Sequence, residues 1–321
     1  MTGSQDQHVP GASPTVTVLA GGVGGAKLAQ GLARCVEDLT VVVNTADDVE
    51  LYGLAISPDL DTVMYTLAGV ANPATGWGVI DETYEALGAM QRLGEPTWFT
   101  LGDRDLATHV LRTDRLRQGR PLSAVTAELA AALGVRARLL PMTDDRVATI
   151  VETPAGTLGF QEYFVARRHQ DEVVGLTFDG IDAARPAPGV LAALADADVV
   201  VLAPSNPFVS IGPVLAVPGV RAALAGTRAR RVGVSPIVAG DALKGPAADM
   251  LRGLGHEVSA LGVARLYQGL LDVLCIDEQD RELAAPIEDL GIEVLVTQAV
   301  MQGPEDRERL ARELLVAAGA A

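Results

Sequence analysis

The chain has 321 residues, 49% of them hydrophobic and few aromatic, and carries a net charge of -16. That acidity argues against a broad nucleic-acid surface, which needs clustered Lys and Arg to displace counterions, but leaves room for one small anion in a local pocket. No apolar run reaches membrane-spanning length, and two cysteines (Cys35 and Cys275) in no CxxC spacing read as reduced thiols of a cytoplasmic protein.

Residues 1–14, MTGSQDQHVPGASP, are polar, contain two prolines and lack a hydrophobic h-region. They read as a loose tail and not a signal peptide, and His8 within them takes no role. From residue 15 onward, short Val-rich runs alternate with Ala/Leu-rich helical patterns. Strands are predicted at 15–20, 40–44, 97–101, 138–141, 173–178, 198–203, 231–235 and 292–296. Helices are predicted at 25–35, 81–93, 122–133, 189–195, 245–254 and 305–317. This alternation implies an α/β fold with a mostly parallel sheet covered on both faces, built as one domain over 15–321. One segment breaks the pattern: 147–152 and 157–164 flank TPAG and read as an antiparallel hairpin added at one edge. The stretch 103–133 is largely helical and reads as a small cap.

In open α/β sheets ligands bind outside the carboxyl ends of the strands, so the strand exits carry the candidate chemistry. The first exit is AGGVGGAKLAQGLA. Gly21, Gly22, Gly24 and Gly25 let a ligand approach the backbone, and the following helix offers its positive end to phosphate oxygens. G-x-G-x-x-G fails at its last position, where Lys27 stands, and the Walker pattern fails as well. A tight junction needing glycine for packing alone is the bland alternative. Lys27 adds a charge or lies along the helix surface; both readings stand.

The second exit is NTADDVELYGLAISPDLDT, residues 44–62, with Asp47, Asp48, Glu50, Asp59 and Asp61. Clustered carboxylates beside a phosphate cradle suit Mg²⁺, which takes one or two carboxylates plus waters and substrate phosphates. Were SPDLDT extended, Asp59 and Asp61 would point to one side as a paired oxygen site, with Leu60 in the core. The structural alternative makes Asp47 and Asp48 turn residues and Asp61 the cap of a helix starting at Thr62. Glu50 reads as solvated.

Further exits are less specific. In WFTLGDRDLATHVLRT a lone histidine, His109, is more often packed than catalytic. Arg104, Arg112, Arg115, Arg117 and Arg120 face an anionic substrate or, more commonly, form a salt-bridged helix surface. PSNPFVSIGP offers Ser205, Asn206 and Ser210, and SPIVAGDALKGPAA offers Ser235, Gly240, Lys244 and Gly245, for a nucleobase or a second phosphate. No G-x-S-x-G elbow, HExxH or Cys/His cluster supports nucleophilic or zinc chemistry.

AGGVGGAKL, NTADD, SPDLDTVMYTLAG, GWGVIDET, LGDRDLATH, FQEYFVARR, PSNPFVSIGP and SPIVAGDALKGPAA, in that order, resemble the 2-phospho-L-lactate transferase family of coenzyme F-420 biosynthesis. The resemblance implies a Rossmann-like three-layer α/β fold in a cytoplasmic homodimer. It implies transfer of a phospholactyl-type group from a guanosine diphosphate-activated donor to the deazaflavin Fo, with release of GMP. Lactate and, as in actinobacterial members, enolpyruvate both stand as the donor's acid. It places Fo against Asp61 and Thr100, and the guanosine against Ser205, Asn206 and Ser235. Joined to that chemistry, Asp47, Asp48 and Asp61 are the expected Mg²⁺ site, Asp61 orients or deprotonates the attacking hydroxyl, and the glycine turn cradles the diphosphate. Two alternatives remain: a non-catalytic nucleotide-sugar-binding regulator of the gluconeogenesis-factor branch, and an NAD-dependent dehydrogenase, against which the missing third glycine and surplus acids count.

Overall fold

The computed structural model describes residues 13–320; the expected tail, His8 included, falls outside them except for its last two residues. The chain opens with β1 (Val16–Ala20), α1 (Gly22–Leu32) and β2 (Leu39–Val43), then a small hairpin of β3 (Val49–Leu51) and β4 (Leu54–Ile56), then α2 (Pro58–Ala68). Three helices, α3 (Glu85–Arg92), α4 (Asp103–Arg117) and α5 (Leu122–Ala132), lead to β5 (Arg138–Pro141). An antiparallel unit of β6 (Ala148–Thr153), β7 (Gly156–Gly159) and β8 (Gly175–Asp179) follows. The second half runs α6 (Val190–Asp196), β9 (Val199–Leu202), α7 (Ile211–Ala216), α8 (Val220–Gly226) and β10 (Arg230–Val234). A two-stranded turn of β11 (Ile237–Val238) and β12 (Asp241–Ala242) precedes α9 (Ala247–Gly253), α10 (Ala260–Leu266), β13 (Val273–Asp277), α11 (Ala284–Glu288), β14 (Glu293–Thr297) and α12 (Pro304–Ala317).

Seven strands form one sheet in the order β14-β13-β10-β9-β1-β2-β5, every pair parallel. Strands buried on both faces need apolar side chains at every position, which is why β1, β2 and β9 read VTVLA, LTVVV and VVVL. Alternate residues feed separate cores. Val16, Val18, Val41, Val43, Val199 and Val201 pack with α1, α2, α5 and α12. Leu19, Val42, Val200 and Leu202 pack with α6 to α11. The result is a three-layer, Rossmann-like α/β fold. Order reverses between β1 and β9, and that crevice is where such folds place their ligands. On the first face α1 and α12 touch at Gly31, where any Cβ would collide with the Arg307 carbonyl.

Several expectations need correction. The strand predicted at 97–101 is a loop with no ladder partner, and its Phe99 and Thr100 line a cavity instead. Aromatic and β-branched side chains suit a cavity wall as well as a strand. The strand predicted at 173–178 is β8, which pairs antiparallel with β6 and lies outside the main sheet. The hairpin arm predicted to reach residue 164 stops at Gly159, and a π-helical turn, Glu162–Ala166, buries Tyr163. Buried strand β13 was not foreseen, because VLCID runs on from the apolar helix-like stretch before it and short apolar runs carry no period of their own. SPDLDT is helical from Pro58, not extended. Within the expected cap, α5 sends Val125, Leu129 and Ala130 into the same core as α1 and α2.

Asp272 and Arg231 join the starts of β13 and β10. The carboxylate accepts from the Arg231 backbone N–H at 2.8 Å, from Nε at 3.1 Å and from a terminal nitrogen at 2.5 Å. Burial raises the Asp272 pKa, but the Arg231 hydrogen bonds outweigh it and the net shift is downward. A lowered carboxylate pKa stabilises the fold above the unfolded value and loses that contribution as pH falls. Asp272→Asn is therefore expected to cost about 1 kcal/mol at neutral pH, allowing for solvent screening of a partly exposed pair. The deficit should shrink below about pH 4 in urea titrations compared across pH.

Candidate active site

A cavity of about 780 Å³ opens at the carboxyl edge of the sheet over the β1–β9 crevice. That lies in the upper part of the usual range for small-molecule sites, about 300–1,000 Å³. Its floor is the turn from β1 into α1 against the loop after β9. Gly21 N–H donates to Ser205 Oγ at 3.2 Å, and that hydroxyl donates back to the Gly21 carbonyl at 2.7 Å. A Cβ on Gly21 would stand 2.5 Å from Asp59 Oδ2, and one on Gly24 would strike the Pro204 carbonyl, so close backbone approach requires glycine at both. Gly21, Gly22 and Gly24 line the cavity. Gly25 does not; it packs against Ala20 and Ser205.

Asn44, fully buried at the end of β2, organises the acidic wall. Its Nδ2 donates to Asp47 Oδ2 at 3.0 Å, Asp59 Oδ2 at 3.0 Å and the Val209 carbonyl at 3.1 Å, while its Oδ1 accepts from Ala46 N–H. Asp59 Oδ1 accepts from Gly22 N–H at 2.8 Å, so the positive end of α1 already meets a carboxylate. The buried oxygen Asp47 Oδ1 has no partner. Burial, then the charge of Asp59, pushes the Asp47 pKa well above the carboxylate range. Burial pushes Asp59 up to about 6. Two carboxylates that are costly to ionise, one with a bare oxygen, form a hard-oxygen set that fits Mg²⁺.

The expected trio of Asp47, Asp48 and Asp61 does not converge. Asp48 turns to Ser57, whose hydroxyl donates to it at 2.6 Å, and Asp48 does not line the cavity. Because α2 is helical, Asp59 and Asp61 diverge around its axis. Asp59 faces Asn44, whereas Asp61 faces α4. There both Asp61 oxygens lie in the fork of Arg112, with Nη1 to Oδ2 at 3.0 Å. Arg112, 2% exposed, also meets His109 Nδ1 at 3.3 Å, and His109 Nε2 lies 3.2 Å from Asp105 Oδ1. Tyr65 donates to that same Asp105 oxygen at 2.7 Å. Among the described residues, the ligand-type side chains brought within 4.8 Å of one another in a group of three are Asp61, Asp105 and His109. The guanidinium already neutralises part of that group, so it suits orientation better than cation capture.

Thr100 lines the cavity, as do Ser205, Asn206 and Ser235. Ser205 spends its hydroxyl on the Gly21 backbone, and Asn206 and Ser235 spend their side chains on local turns. Asn206 Oδ1 accepts from Phe208 N–H at 2.9 Å, and Ser235 Oγ donates to the Ile237 carbonyl at 2.9 Å. Of the arginine group, Arg115 and Arg120 pair with Glu128 on the helix surface, and Arg104 and Arg117 bond backbone carbonyls. Sequence reasoning gave Asn44 no place in the site, joined Asp59 to Asp61 where the structure joins it to Asn44, and grouped Arg112 with the arginines without foreseeing its pairing with Asp61. The Asn44-x-x-Asp47 spacing at a strand end was the one local signal for the first. Apolar walls come from Trp77, Phe99, Phe160, Phe164 and Leu243.

Residues 16–299 match the family described as 2-phospho-L-lactate transferase CofD. A phosphoenolpyruvate transferase from Streptomyces griseus is 46% identical over 94% of this chain and 97% of its own. One from Nocardia farcinica is 43% identical over 99% of each. A 2-phospho-L-lactate transferase from Methanococcoides burtonii is 39% identical over 93% of this chain and 97% of its own. A UPF0052-family crystal structure from Bacillus halodurans shares the fold, with a TM-score of 0.67 at 17% identity over 94% of this chain and 99% of that one. No helix among the described residues is long and apolar enough to cross a membrane. The chain belongs to the 2-phospho-L-lactate transferase CofD family, transferases of coenzyme F-420 biosynthesis.

Proposed function

We propose that this protein transfers a phosphoenolpyruvyl group from a guanosine diphosphate-activated donor to the ribityl hydroxyl of Fo. Relatives from two actinobacterial genera named phosphoenolpyruvate transferase, at 43–46% identity, favour enolpyruvate over lactate. A homodimer is part of the same reading. The observation that carries it is the Asp47–Asn44–Asp59 shelf, which faces the same cavity as the Asp61–Arg112 pair.

The hydroxyl oxygen bonds to the phosphorus bearing the acid, the bridging P–O bond breaks, GMP departs with that electron pair, and the hydroxyl proton passes to the Asp61 carboxylate and from there to solvent. Positioning and charge neutralisation dominate such a transfer. Asp47 and Asp59 would hold Mg²⁺, which when bound neutralises phosphate charge. Asp61, fixed by Arg112, accepts the hydrogen bond of the incoming hydroxyl and sets its line of approach. Thr100 and Phe99, on the loop beside α4, border the Fo end, and the loops holding Ser205, Asn206 and Ser235 border the guanosine end.

Incubation with Fo, Mg²⁺ and each guanosine donor, read by mass, should give the enolpyruvyl phosphodiester with GMP; formation of neither phosphodiester would refute the assignment. Asp61→Asn should lower turnover about 10²–10⁴-fold, and full turnover would remove its role. Asp47 and Asp59 must both ionise to hold a cation, so calorimetric Mg²⁺ affinity should rise with pH through about 6, where Asp59 titrates, and keep rising while the higher-pKa Asp47 titrates. In Asp59→Asn the part of that rise near pH 6 should be absent.

A further inference from the structure

Lysine is nearly missing from this chain. Of 25 Lys and Arg residues, 23 are arginine, and the two lysines are Lys27 and Lys244. Both line the same cavity despite their separation in sequence. Lys27 sits on α1 four residues after Val23, on the same helix face. Its Nζ donates to the Met301 carbonyl, beyond β14, at 2.9 Å. Lys244 follows β12, and its Nζ donates to the Thr75 carbonyl at 3.3 Å. Gly76 brings Lys244 against α1: a Cβ there would stand 2.8 Å from a Val23 methyl and 3.6 Å from Lys244 Nζ, and the Lys244 charge is felt at Lys27. The two ammonium groups thus border one wall.

That wall is unbalanced in charge. Acids outnumber bases 41 to 25, yet no ion pair among the described residues involves either lysine, whereas arginines are repeatedly paired. Each ammonium has one backbone carbonyl and N–H donors to spare. Burial, followed by the charges of Arg307 and Lys244, depresses the Lys27 pKa, so an anion between the lysines would relieve a standing cost. The acids occupy the β2 side of the cavity, and the first amide of α1 already serves Asp59. A negatively charged ligand therefore finds its free cationic partners at Lys27 and Lys244. An ammonium is a compact point charge with three rotatable donors, whereas a guanidinium presents a fixed planar fork, so lysine at these two places in an arginine-rich chain is a chemically distinct choice.

We propose that Lys27 and Lys244 form a two-ammonium clamp for an oxyanion of the nucleotide-activated donor, either its diphosphate or the carboxylate of its acid. The clamp rests on the donor class proposed above. It also assigns Lys27 and Lys244 to the donor and not to Fo, so the two substrates can be tested separately. GDP carries the diphosphate without the carboxylate and distinguishes the two sources.

The test measures GDP affinity by calorimetry, donor KM, and Fo affinity by its fluorescence, in Lys27→Met, Lys244→Gln and the two Lys→Arg variants. Each neutral variant should weaken GDP about tenfold with Fo affinity unchanged, and the Arg variants should lose less. The gap between wild type and neutral variants should narrow as salt rises from about 50 to about 500 mM. Unchanged GDP affinity with a tenfold higher donor KM would assign the clamp to the carboxylate. If both quantities stay at wild-type values in Lys244→Gln, whose exposed loop position spares the fold, the clamp is wrong. Loss of Fo binding in place of donor binding would also overturn it. Wild-type protein that binds GDP in a lysine-dependent way but forms neither phosphodiester would instead sink the transfer reading and leave the clamp standing.

Discussion

One buried amide holds the acidic wall in place. Asn44 has two N–H bonds to give and three acceptors around it: two carboxylates and the Val209 carbonyl. Those acceptors come from the exit of β2, the first turn of α2 and the loop before α7, so one side chain ties three strand-exit segments together. Full burial raises the worth of each bond, because any group left unmatched there would carry its whole desolvation cost. Asp59 extends the tie to α1 through Gly22. The acid shelf and the glycine floor are therefore a single construction, and a ligand entering the crevice meets both together.

Charge is sorted across the cavity. Carboxylates gather on the β2 side, where burial keeps Asp47 and Asp59 reluctant to ionise without a cation. The lysines stand toward β10 and β14. Between these poles the walls are apolar, with Trp77 and Leu243 near the mouth and Phe160 and Phe164 from the antiparallel unit. A second acidic group, Asp61 and Asp105, is already matched by Arg112, with His109 and Tyr65 packed in. That pairing makes Asp61 a fixed acceptor rather than a bare charge. Acids matched by a guanidinium and acids held only by neutral hydrogen bonds are different environments, and this cavity holds both.

Sequence reading served well wherever the signal was local. The Val runs of β1, β2 and β9, the glycine turn and the helices at both ends of the chain follow from periodicity and composition, and ordered motifs carried the family resemblance. It failed where one pattern fits two structures. Val173–Phe178 suits a strand in any sheet, and only pairing with β6 shows which. SPDLDT reads as extended or as a proline-started helix, and the helix sends Asp59 and Asp61 to different partners.

By itself, the chain's sequence determined a parallel sheet covered on both faces, an acidic strand exit beside a glycine turn, and membership in its family. Each rests on residues adjacent in sequence or on composition. The tertiary structure alone decided that Asp59 replaces Asp61 beside Asp47, that Arg112 reaches across from α4 to take Asp61, and that the two lysines share a wall. Those arrangements join residues from separate elements, and side-chain direction there depends on how the elements pack, which no local pattern encodes.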